Sequence, residues 1–177
     1  MSVFKLEAGA PFPSITKSAL DGSTRDISKP LDSKDWQMVV VYRGRHCPLC
    51  TRFLNEITEY KARLEAINID LVAVSGDSKE QLEEHTSRLE VNFPLFFGLT
   101  LEEMKSLGLY ISHPRSEQET DHPFAEPGLY VINEHGTLQV VDISNNPFVR
   151  PDLENLVSGL EWIRKNDYPI RGTYSYN

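Results

Sequence analysis

The run Trp36-Gln37-Met38-Val39-Val40-Val41-Tyr42 constrains this chain more than any other segment, because a helical stripe begins a few residues beyond it. Seven residues rich in β-branched and aromatic side chains read as a buried central strand. After Arg43-Gly44-Arg45-His46 the period changes: from Pro48, apolar residues fall at Leu49, Phe53, Ile57, Tyr60 and Leu64, in helical steps. A buried strand leading through a short turn into an amphipathic helix predicts a parallel sheet covered by helices. The rest of the chain continues the alternation. Ile69–Ser75 reads as a second strand, and Asp77 with Glu80 as a capping box opening a helix to about Leu89. Phe93–Phe97 reads as a strand, and Thr100–Leu107 as a helix closed by Gly108. Leu129–Asn133 and Thr137–Ile143 form a hairpin about Asn133-Glu134-His135-Gly136. Leu153, Leu156, Val157, Leu160 and Ile163 mark a helix begun after Pro151. Residues 1–30 are irregular, with a short hairpin at Asp21-Gly22-Ser23, and residues 112–124 are a polar loop. The expected fold is α/β, a central mixed sheet flanked by helices with an N-terminal extension, and 177 residues suit one domain, 1–177.

Charge narrows the partners. A formal net charge of -8 leaves no basic face for nucleic acid or an anionic membrane. No apolar run approaches a membrane span. The opening Met1-Ser2-Val3-Phe4-Lys5-Leu6-Glu7 lacks a basic segment followed by an apolar one, so the expected location is the cytoplasm. The tail with Tyr168, Tyr174 and Tyr176 is expected to pack on its own domain or on a second copy in a homodimer.

The only two cysteines stand as Cys47-Pro48-Leu49-Cys50, at the junction of the strand and the helix. Random placement would set a pair at this spacing only about one time in a hundred, so the spacing calls for a chemical reason. Ligands and chemistry collect at the carboxyl ends of such strands. Pro48 suits the first helical position, which puts Cys47 at the N-cap, where unpaired N–H groups favour a thiolate. Arg43, Arg45, His46 and Arg52 add positive charge nearby. Cys47 is therefore the expected nucleophile and Cys50, one turn further on, the resolving thiol. Zinc would need about four ligands and only His46 stands near the pair; covalent haem would need histidine where Thr51 stands. No cofactor is called for. His85, His113, His122 and His135 are expected to face solvent. Glu56 and Glu59 read as solvated-face residues, which leaves the proton acceptor for Cys50 unnamed.

Four stretches carry a resemblance: Gly9-Ala10-Pro11-Phe12-Pro13, the strand–Cys-x-x-Cys–helix unit, Val72-Ala73-Val74-Ser75-Gly76-Asp77, and Pro127-Gly128-Leu129-Tyr130-Val131-Ile132-Asn133. The chain resembles peroxiredoxin-like proteins of the AhpC/TSA (alkyl hydroperoxide reductase/thiol-specific antioxidant) branch of the thioredoxin-fold superfamily. The resemblance implies a thioredoxin-like fold, a disulfide or hydroperoxide substrate, and a thioredoxin- or glutathione-type reductant. Two departures matter. Peroxiredoxins typically carry Pro-x-x-x-Thr-x-x-Cys; with Cys50 as that cysteine, Cys47 stands for the threonine and Arg43 for the proline. With Cys47 there instead, the two positions hold Gly44 and Val40. Where many peroxiredoxins place an arginine before the late strand, this chain has Pro127, which looks like the cis-proline of thioredoxins. Arg150 is the residue that would return to the site with the guanidinium peroxiredoxins use. These comparisons imply a thiol–disulfide oxidoreductase working through Cys47 and Cys50, or alternatively a peroxidase passing through a sulfenic acid to the same disulfide.

Overall fold

The computed structural model describes residues 5–31 and 33–176; the first four residues of the irregular N-terminal stretch lie outside them. Its centre is a seven-stranded mixed sheet. In chain order the strands are β1 (Thr16–Ala19), β2 (Thr24–Asp26), β3 (Trp36–Val41), β4 (Ile69–Val74), β5 (Leu95–Phe97), β6 (Ile111–Ser112), β7 (Phe124–Ala125), β8 (Gly128–Ile132) and β9 (Leu138–Ile143). The helices are α1 (Pro48–Ile57), α2 (Lys61–Ala66), α3 (Lys79–His85), α4 (Leu101–Ser106) and α5 (Leu153–Asn166). The sheet runs β2-β1-β5-β4-β3-β8-β9, and β6 pairs with β7 outside it. As the alternation requires, β3, β4 and β5 are parallel, while the β8–β9 hairpin joins β3 antiparallel. The N-terminal hairpin β1–β2 docks antiparallel on β5 and becomes the other edge.

Every residue of β3 and β4 is buried, which accounts for their continuous apolar runs. Alternate side chains of β3 serve two cores. Met38, Val40 and Tyr42 pack under α1, α2 and α5 with both cysteines, Phe53, Leu64 and Val157. Val39 and Val41 face the other side with Phe96, Met104, Leu107 and Tyr130. The stripe from Leu49 to Leu64 is helical but not one helix: a 3₁₀ turn at Thr58–Tyr60 separates α1 from α2.

Two expectations shift by small but consequential amounts. The capping box of α3 is Ser78 with Gln81, one residue later than Asp77 with Glu80, so the Asp77 side chain is released for another use. The loop 112–124 is bracketed by the β6–β7 pair, which is too short for a sequence signal. In the tail, Tyr168 packs edge-on against Trp162, whereas Tyr174 and Tyr176 contact each other and are exposed. No helix among the described residues is long and apolar enough to cross a membrane.

Candidate active site

Cys47 is the N-cap of α1, with Pro48 in the first turn, and its sulfur accepts the Cys50 backbone N–H at 3.3 Å. Extended backbone at Cys47 turns the sulfur back over the first turn. Cys50 lies one turn inside and is fully buried; its Sγ accepts from Arg150 Nη2 at 3.1 Å and from the Arg43 backbone N–H at 3.5 Å. Both are free thiols, and Cys47 too is almost fully buried.

The two thiols are driven apart in acidity. The hydrogen bond from the Cys50 thiol, helped by the Cys50 N–H and by Arg43, outweighs burial and brings Cys47 down to about 6. Burial, with the neighbouring Cys47 sulfur, pushes Cys50 well above the ordinary thiol range; Arg150 opposes that only in part. One proton is thus held between two sulfurs, with the helix start and Arg43 favouring charge on Cys47.

Of the cations expected around the pair, Arg43 and Arg150 reach it. The Arg43 guanidinium favours charge on Cys47 and forms an ion pair with Glu126, Nε to Oε1 3.1 Å. Arg150 arrives from the segment between β9 and α5; its Nε donates to Pro147 O at 2.7 Å and its guanidinium covers the Phe53 ring. Arg45 and Arg52 pair instead with surface carboxylates, Glu84 and Glu56. His46 rests on the Phe124 ring, and burial followed by the Arg43 charge lowers its pKa, so near neutral pH it adds no positive charge to Cys47.

Three expectations are corrected. No peptide bond among the described residues is cis, so Pro127 is a trans proline. Trans is the favoured isomer by about 0.5–1 kcal/mol, and the chain is extended here: Glu126 N–H donates to Tyr110 O, and Pro127 O accepts from Ser144. Pro127 still lies near the site, sharing a small pocket with Val40, Phe53 and Arg150. His85 is fully buried, its Nε2 2.7 Å from Thr51 Oγ1, and burial lowers its pKa to about 4. His122 is half-buried against Asp77 at 3.2 Å, a contact that raises its pKa. Only His113 and His135 are exposed as expected.

Two carboxylates near the pair carry no mark in the cysteine motif. Asp77 is fully buried and accepts the Arg45 N–H at 2.7 Å, tying down the loop before the cysteines. Glu126 is almost fully buried behind Arg43 and also accepts from Ser112 Oγ at 2.7 Å. A signal for Glu126 existed: it is the single acid in the apolar run from Phe124 to Ile132.

The fold agrees with a class that known proteins define. Residues 8–141 match the model of the AhpC/TSA family, three quarters of the chain, and the chain belongs to that family. It is accordingly an oxidoreductase of thioredoxin fold. Among solved structures, it is similar to a cysteine-to-serine mutant of peroxiredoxin 6 of Arenicola marina, with a TM-score of 0.77 at 15% identity over 92% of this chain and 76% of that one. It is also similar to Enterococcus faecalis AhpC, with a TM-score of 0.71 at 15% identity over 93% of this chain and 98% of that one. A peroxiredoxin-like protein from Aquifex aeolicus gives 0.73 at 14% identity, over 90% of this chain and 88% of that one. No curated protein matches the sequence significantly.

Proposed function

We propose that the chain is a cytoplasmic dithiol–disulfide oxidoreductase in which Cys47 attacks and Cys50 resolves. The split in acidity between the two thiols carries this reading: a thiol with a pKa of about 6 beside one pushed well above the ordinary range. The Cys47 thiolate attacks a substrate disulfide, forming a mixed disulfide and expelling one thiolate. Cys50 then gives up its proton and attacks the Cys47 sulfur, releasing the second thiol. Two electrons have passed to the substrate, and a Cys47–Cys50 disulfide remains. A thioredoxin- or glutathione-type thiol returns the pair to the dithiol.

A second reading has its own support. Both sulfurs are covered, Arg150 touches Cys50 at 3.1 Å, and Pro127 is trans, so it is not the cis-proline that would receive a substrate chain. A groove of about 660 Å³ lined by Leu49, Phe53, Phe148 and Arg150 opens beside the pair. These features suit a small oxidant. A hydroperoxide ROOH would oxidise one thiolate to sulfenic acid, releasing ROH, and the other thiol would condense with it, releasing water.

Insulin reduction and hydroperoxide consumption in the wild type, Cys47→Ser and Cys50→Ser separate the two. The first reading expects disulfide reduction to fall more than about a hundredfold in Cys47→Ser, with a mixed disulfide trapped on Cys47 in Cys50→Ser. Fast sulfenic acid formation at Cys50 in Cys47→Ser would overturn it in favour of the peroxidase.

A further inference from the structure

Arg43 reaches both sulfurs. Its backbone N–H donates to Cys50 Sγ at 3.5 Å, and its guanidinium charge favours the Cys47 thiolate. What holds that guanidinium in place is not part of the cysteine motif. Glu126, on the link between β7 and β8, meets Arg43 Nε with both oxygens, at 3.1 and 3.3 Å. The Glu126 side chain is only 3% exposed, and that of Arg43 17%. Glu126 Oε2 accepts the hydrogen bond from Arg43, and Oε1 is held by the ion pair alone. Ser112 supplies a second donor from β6, and the Glu126 backbone N–H is anchored on Tyr110 O. The Phe124 ring packs against the guanidinium, 4.7 Å from Cζ to ring centroid. Glu126, Ser112 and Phe124 thus form a rigid seat for the Arg43 side chain, built from the β6–β7 pair.

We propose that Glu126 is a positioning residue: it holds the Arg43 guanidinium against Cys47 and so fixes which of the two sulfurs attacks. The inference rests on the proposed role of Cys47 as nucleophile. Glu126 acts through Arg43 rather than on either sulfur. This assigns the β6–β7 pair a purpose that packing alone does not supply.

The sign of one measurement decides the matter. A carboxylate near a thiolate repels it, so the direct effect of neutralising Glu126 is to make Cys47 more acidic. Loss of positioning does the opposite, because an unseated Arg43 leaves the sulfur without its cation. The experiment follows alkylation of Cys47 by iodoacetamide against pH, read at the Cys47 peptide by mass spectrometry. It uses reduced wild type, Glu126→Gln, Arg43→Met and the double variant. The wild-type midpoint is expected near 6. Glu126→Gln and Arg43→Met should each raise it by about one pH unit, so that Cys47 reacts about tenfold more slowly below the midpoint. The double variant should be no worse than Arg43→Met, since Glu126 acts through that side chain. A midpoint unchanged or lowered in Glu126→Gln, or additive shifts in the double variant, overturns the proposal. Failure of the underlying reading looks different: the wild type itself would show Cys50 as the more acidic thiol. Thermal unfolding of Glu126→Gln, an isosteric change, separates an altered midpoint from an unfolded site. If Glu126→Gln is unfolded, Ser112→Ala, which removes one donor to the carboxylate, should still raise the midpoint; an unchanged midpoint there counts against the proposal.

Discussion

Gly44→Ala will unfold this protein roughly 10 °C below the wild type and abolish the low-pH reactivity of Cys47. Gly44 sits at φ +139, where a side chain is strained, and an added Cβ would lie 2.5 Å from Asp77 Oδ1. Strain of this kind costs about 1–3 kcal/mol, and overpacking a buried site costs a similar amount. Asp77 has no room to yield. Its carboxylate is fully buried and held by the Arg45 N–H on one side and His122 on the other. The displaced element would be the loop instead, and that loop ends at Cys47, whose backbone N–H donates to Gly44 O at 3.2 Å. Calorimetry gives the shift in midpoint, and the iodoacetamide profile gives the thiol. Asp77→Ala in the Gly44→Ala background removes the colliding oxygens and should recover part of the stability, a non-additivity expected of touching residues. A Gly44→Ala protein melting within about 2 °C of the wild type would show that the loop is not clamped this way.

That clamp was invisible in the sequence for an instructive reason. Asp77 followed by Glu80 satisfies the local rule for a helix start, but Ser78 with Gln81 satisfies it as well, one residue along. Local chemistry could not choose between them. The choice is made by Asp77 being drawn into the core by Arg45 and His122, which are 32 and 45 residues away. His85 is hidden in the same way, because a histidine at a helix end reads as solvated until its partner is known to be Thr51, on another helix. By contrast, the features set by nearest neighbours were legible. These are the buried run of β3, the stripe of α1, the β8–β9 hairpin, and Cys47 at the N-cap ahead of Pro48. The split 3₁₀ turn at Thr58–Tyr60 and the two-residue strands β6 and β7 carry too few residues to show a period. The site divides along the same line: its sulfurs are legible from spacing, but of the arginines beside the motif only Arg43 reaches the pair. Arg45 and Arg52 flank the motif yet pair elsewhere, while Arg150, 100 residues beyond Cys50, makes the contact.

Arg150→Met is expected to leave the attack by Cys47 in place and slow closure of the Cys47–Cys50 disulfide by about ten- to a hundredfold. The guanidinium is the principal group favouring ionisation of Cys50, against burial and the adjacent Cys47 sulfur. Without it, Cys50 holds its proton more tightly and resolves more slowly, whichever oxidant modified Cys47. Arg150→Lys, which keeps the charge without the planar fork, should restore part of the rate. Stopped-flow acid quench with thiol trapping resolves the two steps, and pH tells them apart further. Attack should rise as pH passes through about 6 and then level, following Cys47, while closure should keep rising with pH, following Cys50. The same assignment fixes a stability trend. Cys47 in the folded chain lies below the ordinary value of 9.0, so between about 6 and 9 the unfolded chain holds the extra proton. The reduced protein must therefore gain stability over Cys47→Ser as pH rises across that window, and lose the gain as pH falls toward 6. Above it, the elevated pKa of Cys50 works in the opposite sense, because the unfolded chain then sheds a proton that the folded site retains. A difference between the two proteins that stayed flat from pH 6 to 9 would place the thiolate elsewhere, and with it the order in which the two sulfurs act.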